Sequence, residues 1–193
     1  MRYSYTAVEK RRINQIDSRS PFSRGQVSRE GQIGGILKYF PIAVNIKTRR
    51  VVVAGGGEVA HRKIRSLLDA GARVNVIAPL ALAGIRALDA KGKVKWTRRR
   101  VRRDDIPGAY LVIAATNDTR VNESVGRWAR ESGISVNVVD RPSISDYISP
   151  AIVRIKKAIL AIYTDGKDPV LSRDLKNYLK ERWDDFISYR NGL

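Results

Sequence analysis

From Leu37 onward, apolar and polar positions follow two periods that take turns along the chain. Arg50-Val-Val-Val-Ala54 is a short β-branched run ending at three glycines, which predicts a buried strand. Glu58–Ala70 sets Val59, Ile64, Leu67 and Leu68 on one helical face, with Gly71 as the C-terminal stop. Arg73–Ala78 predicts a second strand, broken by Pro79. Leu80–Ala90 predicts a helix stopped by Gly92, and Val94–Thr97 a third strand. Tyr110–Ala115 predicts a fourth strand, Thr119–Ser132 a helix ending before Gly133, and Ile134–Val139 a fifth strand. Strands alternating with helices through short connections predict an α/β fold, a Rossmann-like doubly wound parallel sheet.

The two ends of the chain read differently. Residues 1–35 hold no period. The run from Asp17 to Gln32 is rich in Ser, Gly and Arg, and predicts a flexible basic arm with a short helix around Val8–Ile16. After Asp140 the alternation stops. Ala151–Ile155 and Ala158–Tyr163 predict two short strands separated by Lys156 and Lys157. Asp168-Pro169 then supplies an N-cap and a first-turn proline for a helix running towards Tyr189. This small α+β tail is too short to bury a core alone, so it is expected to pack on the sheet or on a second subunit as a homodimer. The organisation expected is an arm over 1–35, a dinucleotide-binding Rossmann domain over 36–142, and a dimerisation segment with a C-terminal helix over 143–193.

Composition narrows the chemistry. Of 193 residues, 43% are hydrophobic, enough for a packed core, and 37 Lys and Arg against 19 Asp and Glu leave a net charge of +18. That excess points to an anionic partner: nucleic acid, a membrane surface or a polycarboxylate small molecule. Cysteine is absent and His61 is the one histidine. This excludes disulfides, a thiol nucleophile and cysteine-ligated metal centres, and it leaves no residues to assign to a metal. No run approaches the roughly 18 apolar residues of a membrane span. The late segment Pro150–Tyr163 is interrupted by Arg154, Lys156 and Lys157, and the N-terminus lacks the apolar core of a secretory signal. A soluble cytoplasmic protein is the expectation. Arg98–Arg103 alternates around Val101 and reads as a charge-protected edge strand away from any site.

The chemistry concentrates at strand ends. Gly55-Gly-Gly-Glu-Val-Ala60 is G-x-G-x-x-A, set between the first strand and the first helix. Gly55 permits the tight turn, Gly57 lets backbone approach a pyrophosphate, and Ala60 lets helix and strand pack closely. The helix N-terminus then offers free amides and a positive dipole end to phosphate. The second strand ends Ile77-Ala78-Pro79, with neither the ribose-gripping acid of NAD sites nor an adjacent arginine, so the residues alone leave NAD and NADP open. Asp140 lies at the carboxyl end of a strand, where open α/β sheets bind ligands. It reads either as a proton acceptor or as a turn residue before Arg141-Pro142. Asn117, Asp118 and Asn122 share that rim as candidate substrate contacts, and Asp118 reads equally as a helix N-cap.

Further motifs fall in register: Arg62-Lys63, Ala70-Gly-Ala-Arg-Val74, Ala114-Ala-Thr-Asn-Asp118, Val121-Asn122, Asn137-Val-Val-Asp140, Asp146-Tyr-Ile-Ser-Pro150 and Pro169-Val-Leu-Ser-Arg173. Together with the glycine turn, over about Tyr39–Lys180, the chain resembles the precorrin-2 dehydrogenase family, including the corresponding domain of siroheme synthases. The resemblance implies oxidation of precorrin-2, a polycarboxylate tetrapyrrole, to sirohydrochlorin with NAD as hydride acceptor; some members also insert ferrous iron. It implies Asp140 as the catalytic residue, and Gly55, Gly57, Glu58, Val59, Pro79, Leu80 and Thr116 as cofactor contacts. The chain departs from the family at Tyr163-Thr-Asp-Gly166, where a Ser-Ser-Gly-Gly turn is usual, and no methyltransferase pattern follows. Two other classes compete: a nucleotide-sensing Rossmann module without turnover, and a basic nucleic-acid-binding protein. Against the second, no helix-turn-helix or aromatic RNA-binding motif is present.

Overall fold

Each β-branched run becomes a strand of one parallel sheet. The computed structural model describes residues 39–155, 158–164 and 168–191. The expected arm over 1–35, its short helix at Val8–Ile16, Lys156-Lys157 and Asp165-Gly166 lie outside the described residues. In chain order the strands are β1 (Arg50–Ala54), β2 (Arg73–Ile77), β3 (Val94–Thr97), β4 (Leu111–Ala114) and β5 (Val136–Val138). Helices α1 (Glu58–Asp69), α2 (Ala83–Ala90) and α3 (Thr119–Glu131) lie between them. The sheet order is β3-β2-β1-β4-β5. Every pairing is parallel, with Val51 opposite Val74 on one side and Leu111 on the other.

The period-two alternation of β1 explains the two-sided core. Val51 and Val53 face Ala60, Ile64 and Leu67 of α1 and Ile85 of α2. Val52 and Ala54 face Val125 and Ala129 of α3, with Ile106 and Ala109 from the chain before β4. Val51 to Ala54 are wholly buried, each valine worth about 1.5–3 kcal/mol relative to exposure. Chain order reverses at β1/β4, and the carboxyl ends of those strands open a crevice there. Gly71 holds a positive φ of 76° just after α1, the left-handed position the sequence assigns to it.

Beyond β5 the chain doubles back and covers that edge strand. Asp146 Oδ2 accepts from the Val136 amide, and Ser145 Oγ accepts from the Val138 amide. The Tyr147 hydroxyl donates to the Val112 carbonyl, and burial holds its phenol above the usual range. The hairpin β6 (Ala151–Ile155) and β7 (Ala158–Ile162) pairs antiparallel with itself, and α4 (Pro169–Glu181) packs on it. Arg154 of β6 reaches Asp69 of α1 at 2.6 Å.

Four expectations need correction. Val59 is 39% exposed and does not face the core; Ala60 takes that position beside β1. The helix expected over Leu80–Ala90 begins only at Ala83, because the Leu82 amide donates to the Gly56 carbonyl and pins Pro79–Leu82 in an extended path. Arg98–Arg102 is an irregular loop rather than an edge strand, followed by a 3-10 turn at Arg103–Asp105. The single helix expected towards Tyr189 is two, α4 and α5 (Trp183–Asn191), separated at Arg182.

Candidate functional site

The crevice at the carboxyl ends of β1, β2 and β4 is a cleft of about 730 Å³. Its floor is the glycine turn. Gly55 holds a φ of 128°, and a Cβ there would overlap the Ala115 carbonyl; one at Gly56 would overlap the carbonyl of Leu80. At Gly57 the nearest atom to an added Cβ is Asn117 Oδ1 at 4.0 Å, so the backbone is open to the cleft. The turn feeds α1, whose first-turn amides face outward from the sheet without intrahelical partners. An open backbone beside a helix N-terminus, in a cleft with mostly apolar walls, fits a dinucleotide: pyrophosphate over Gly57, adenosine and nicotinamide to either side.

Pro79 and Leu80 form one wall, and Thr116, Asn117 and Asp118 form the facing rim. The loop from Arg98 also belongs to this cleft, through Arg100 and Val101, contrary to the expectation that it lies away from the site. Arg99 fixes that loop with a paired contact to Asp105 at 2.6 and 2.7 Å. The Arg99 guanidinium holds the Asp105 carboxyl below its usual range, with burial opposing it. Glu58 and Val59 are not among the residues lining the cleft. His61 is half-buried with its ring against Gly84, a packing residue between α1 and α2, as its sequence setting suggests.

Behind Thr116 lies a hydrogen-bond relay that sequence spacing does not disclose. Asn122 has no exposed surface, and its amide saturates four positions. Its Oδ1 accepts from the Thr116 amide at 2.9 Å and the Thr116 hydroxyl at 2.7 Å. Its Nδ2 donates to the Thr116 carbonyl and to Asp140 Oδ1, each at 3.0 Å. Thr119 donates to the other Asp140 oxygen at 2.8 Å. Asp140 itself is exposed, two residues beyond β5, so its carboxylate is oriented from behind and open in front. Asp118 caps α3, accepting from the Arg120 and Val121 amides, while Asn117 is exposed on the rim. Thus Thr116, Asn122 and Asp140 come together; Thr119 and Gly56 are the additions that only the structure supplies. Among the described residues no group of three or more His, Asp or Glu converges as a metal site, and no helix is long and apolar enough to cross a membrane.

The family described as "Putative NAD(P)-binding" matches residues 42–151. The siroheme synthase of Methylococcus capsulatus is 42% identical over 144 residues, covering 75% of this chain and 30% of that protein. The siroheme synthase of Nitrosomonas europaea is 41% identical over 145 residues, again 75% of this chain and 30% of its own length. The chain therefore spans about three-tenths of the length of these relatives. A solved structure, "SirC, precorrin-2 dehydrogenase", is similar at a TM-score of 0.65 and 32% identity, covering 75% of this chain and 71% of that one. A parallel sheet in 3-2-1-4-5 order, a glycine turn under an open cleft, and this likeness along most of both chains place the protein in the precorrin-2 dehydrogenase family, as an NAD(P)-binding member.

Proposed function

We propose that the chain oxidises precorrin-2 to sirohydrochlorin, on the route to siroheme, with a nicotinamide dinucleotide as hydride acceptor. The observation that carries this reading is the Thr116–Asn122–Asp140 relay, which ties an exposed carboxylate to the rim of a dinucleotide cleft. Gly55–Gly57 and the first turn of α1 hold the pyrophosphate, and Pro79, Leu80 and Thr116 flank the nucleoside halves. When bound, the nicotinamide supplies the hydride chemistry; NAD is the acceptor that the sequence resemblance implies. The chain's own part is to position the macrocycle and to take the proton that leaves with the hydride. Asp140 takes that proton, its free lone pairs facing outward while Asn122 and Thr119 fix the carboxylate plane. Asn117 contacts the substrate from the rim, and Asn122 and Thr119 are positioning residues. The polycarboxylate substrate accounts for part of the +18 charge. This reading carries with it a cytoplasmic location and a homodimer built through residues 143–193.

The test is anaerobic absorbance with precorrin-2 and NAD or NADP, following both nicotinamide reduction and the chromophore. Wild-type protein should show both changes. Asp140→Asn should lower turnover by about 100-fold or more, with dinucleotide affinity held within a few-fold. Dinucleotide binding without any chromophore change in the wild type would sink the dehydrogenase reading in favour of a sensing module.

A further inference from the structure

The loop that sequence alone reads as a remote edge strand forms a wall of the cofactor cleft, and its arginines are not equivalent. Arg99 pairs with Asp105 and Arg103 with Glu131. Arg100 lies between them, lines the cleft, and has no carboxylate partner among the described residues. Its position follows from the sheet. Thr97, the last residue of β3, is in register with Ile77, the last of β2, so the chain leaving β3 passes the β2 end three residues before Arg100. In a doubly wound fold the β2 end is where the adenosine ribose sits. A carboxylate there selects the free 2′-hydroxyl, and an arginine nearby accommodates a 2′-phosphate.

Here the β2 end is Ile77-Ala78-Pro79-Leu80, and no acid from it enters the cleft. The cleft's one carboxylate among the described residues is that of Asp118, on the opposite rim and committed to capping α3. Val101, Val121 and Trp128 give the same region an apolar slot suited to a purine base. We propose that this cleft accepts the 2′-phosphorylated dinucleotide, NADP, as readily as NAD, with Arg100 as the residue that holds the 2′-phosphate. The arginine is preorganised because its neighbour Arg99 is clamped to Asp105, and a guanidinium binds a phosphate through paired, charge-assisted hydrogen bonds. The proposal rests on the dinucleotide reading of the cleft and adds its selectivity.

Titration calorimetry of the full chain with NAD, NADP, adenosine 5′-monophosphate and its 2′-phosphorylated counterpart tests it. Wild-type protein should bind NADP no more weakly than NAD. Arg100→Gln should shift the NADP-to-NAD affinity ratio about ten-fold towards NAD, the size of one charge-assisted contact at an exposed site, with Arg100→Lys recovering part of it. Arg98→Gln, in the same loop but not lining the cleft, should leave the ratio as it is. A wild-type preference for NAD, or a ratio that Arg100→Gln does not move, overturns the role of Arg100 while the dinucleotide reading stands. If none of the four nucleotides binds, both readings fall.

Discussion

Three adjacent glycines in the first turn answer to three different demands. Gly55 and Gly56 are required by the fold, since a Cβ on either would run into a backbone carbonyl, of Ala115 or of Leu80. Gly57 has 4.0 Å of clearance, so its lack of a side chain leaves room for a ligand and relieves no contact within the protein. Gly57→Ala should therefore unfold in urea within about 1 kcal/mol of wild type but lose dinucleotide affinity ten-fold or more by calorimetry. Gly55→Ala, strained by its φ of 128°, should cost about 2 kcal/mol or more of stability in the same unfolding experiment. The reverse order of effects would move the pyrophosphate away from this turn. Gly55 and Gly57 are legible from spacing alone, because the phosphate-binding turn is a local motif. Gly56 is not, because the atom it must clear belongs to Leu80, reached only when the β2–α2 connection folds over the turn. Asn122 shows the same divide: its place four residues past Asp118 is readable, but its burial and its bond to Asp140 depend on β5 arriving alongside.

At the scale of elements, the strands and α1 and α3 were readable because buried β-branched runs and helical faces leave periodic traces. Arg98–Arg102 was misread because its alternation around Val101 satisfies the strand period without a neighbouring strand beyond β3 to pair with. What shapes it is an ion pair across six residues, Arg99 to Asp105, and a carboxylate that also accepts from the Arg102 amide at 2.8 Å. The sign of its pH dependence follows. Asp105 has a folded-state pKa below its ordinary 3.8, first through the Arg99 hydrogen bond. Its contribution is thus fully present above the ordinary value and lost as pH falls through the depressed one. Wild type should exceed Asp105→Asn in unfolding free energy by a constant margin from about pH 7 to pH 5, and the margin should shrink below about pH 4. A margin that stays flat under acid would mean that Asp105 acts by packing rather than by charge. The C-terminal helix was misjudged for a similar reason. The chain of helix formers runs on past Arg182, and nothing local marks the break that separates α4 from α5.

For the molecule as a whole, apolar surface collects where the sheet ends. On α4, Val170, Leu171, Leu175 and Tyr178 are 55, 53, 40 and 48% exposed, and Ile159 of β7 is 71% exposed. Leu171, Leu175 and Tyr178 follow at spacings of four and three, a single helical stripe. The hairpin beneath is two strands with both outer edges unpaired in the sheet, and such a pair is marginal in water without further cover. A second copy of the chain supplies that cover and hides the stripe, which is the arrangement expected of residues 143–193. Light scattering should then return twice the 21.6 kDa chain mass at micromolar concentration. Replacing both Leu171 and Leu175 by Glu should return the single-chain mass, with the far-ultraviolet circular dichroism of the sheet retained, because a buried unpaired carboxylate costs an interface about 2 kcal/mol or more. Salt separates this interface from a charge-driven one. Each chain carries a net +18, so two copies repel at long range, and raising the salt screens that repulsion. A dimer closed by apolar contacts should tighten as salt rises. One that loosens would be held by ion pairs, and a wild-type protein that stays monomeric would leave the stripe to a different partner.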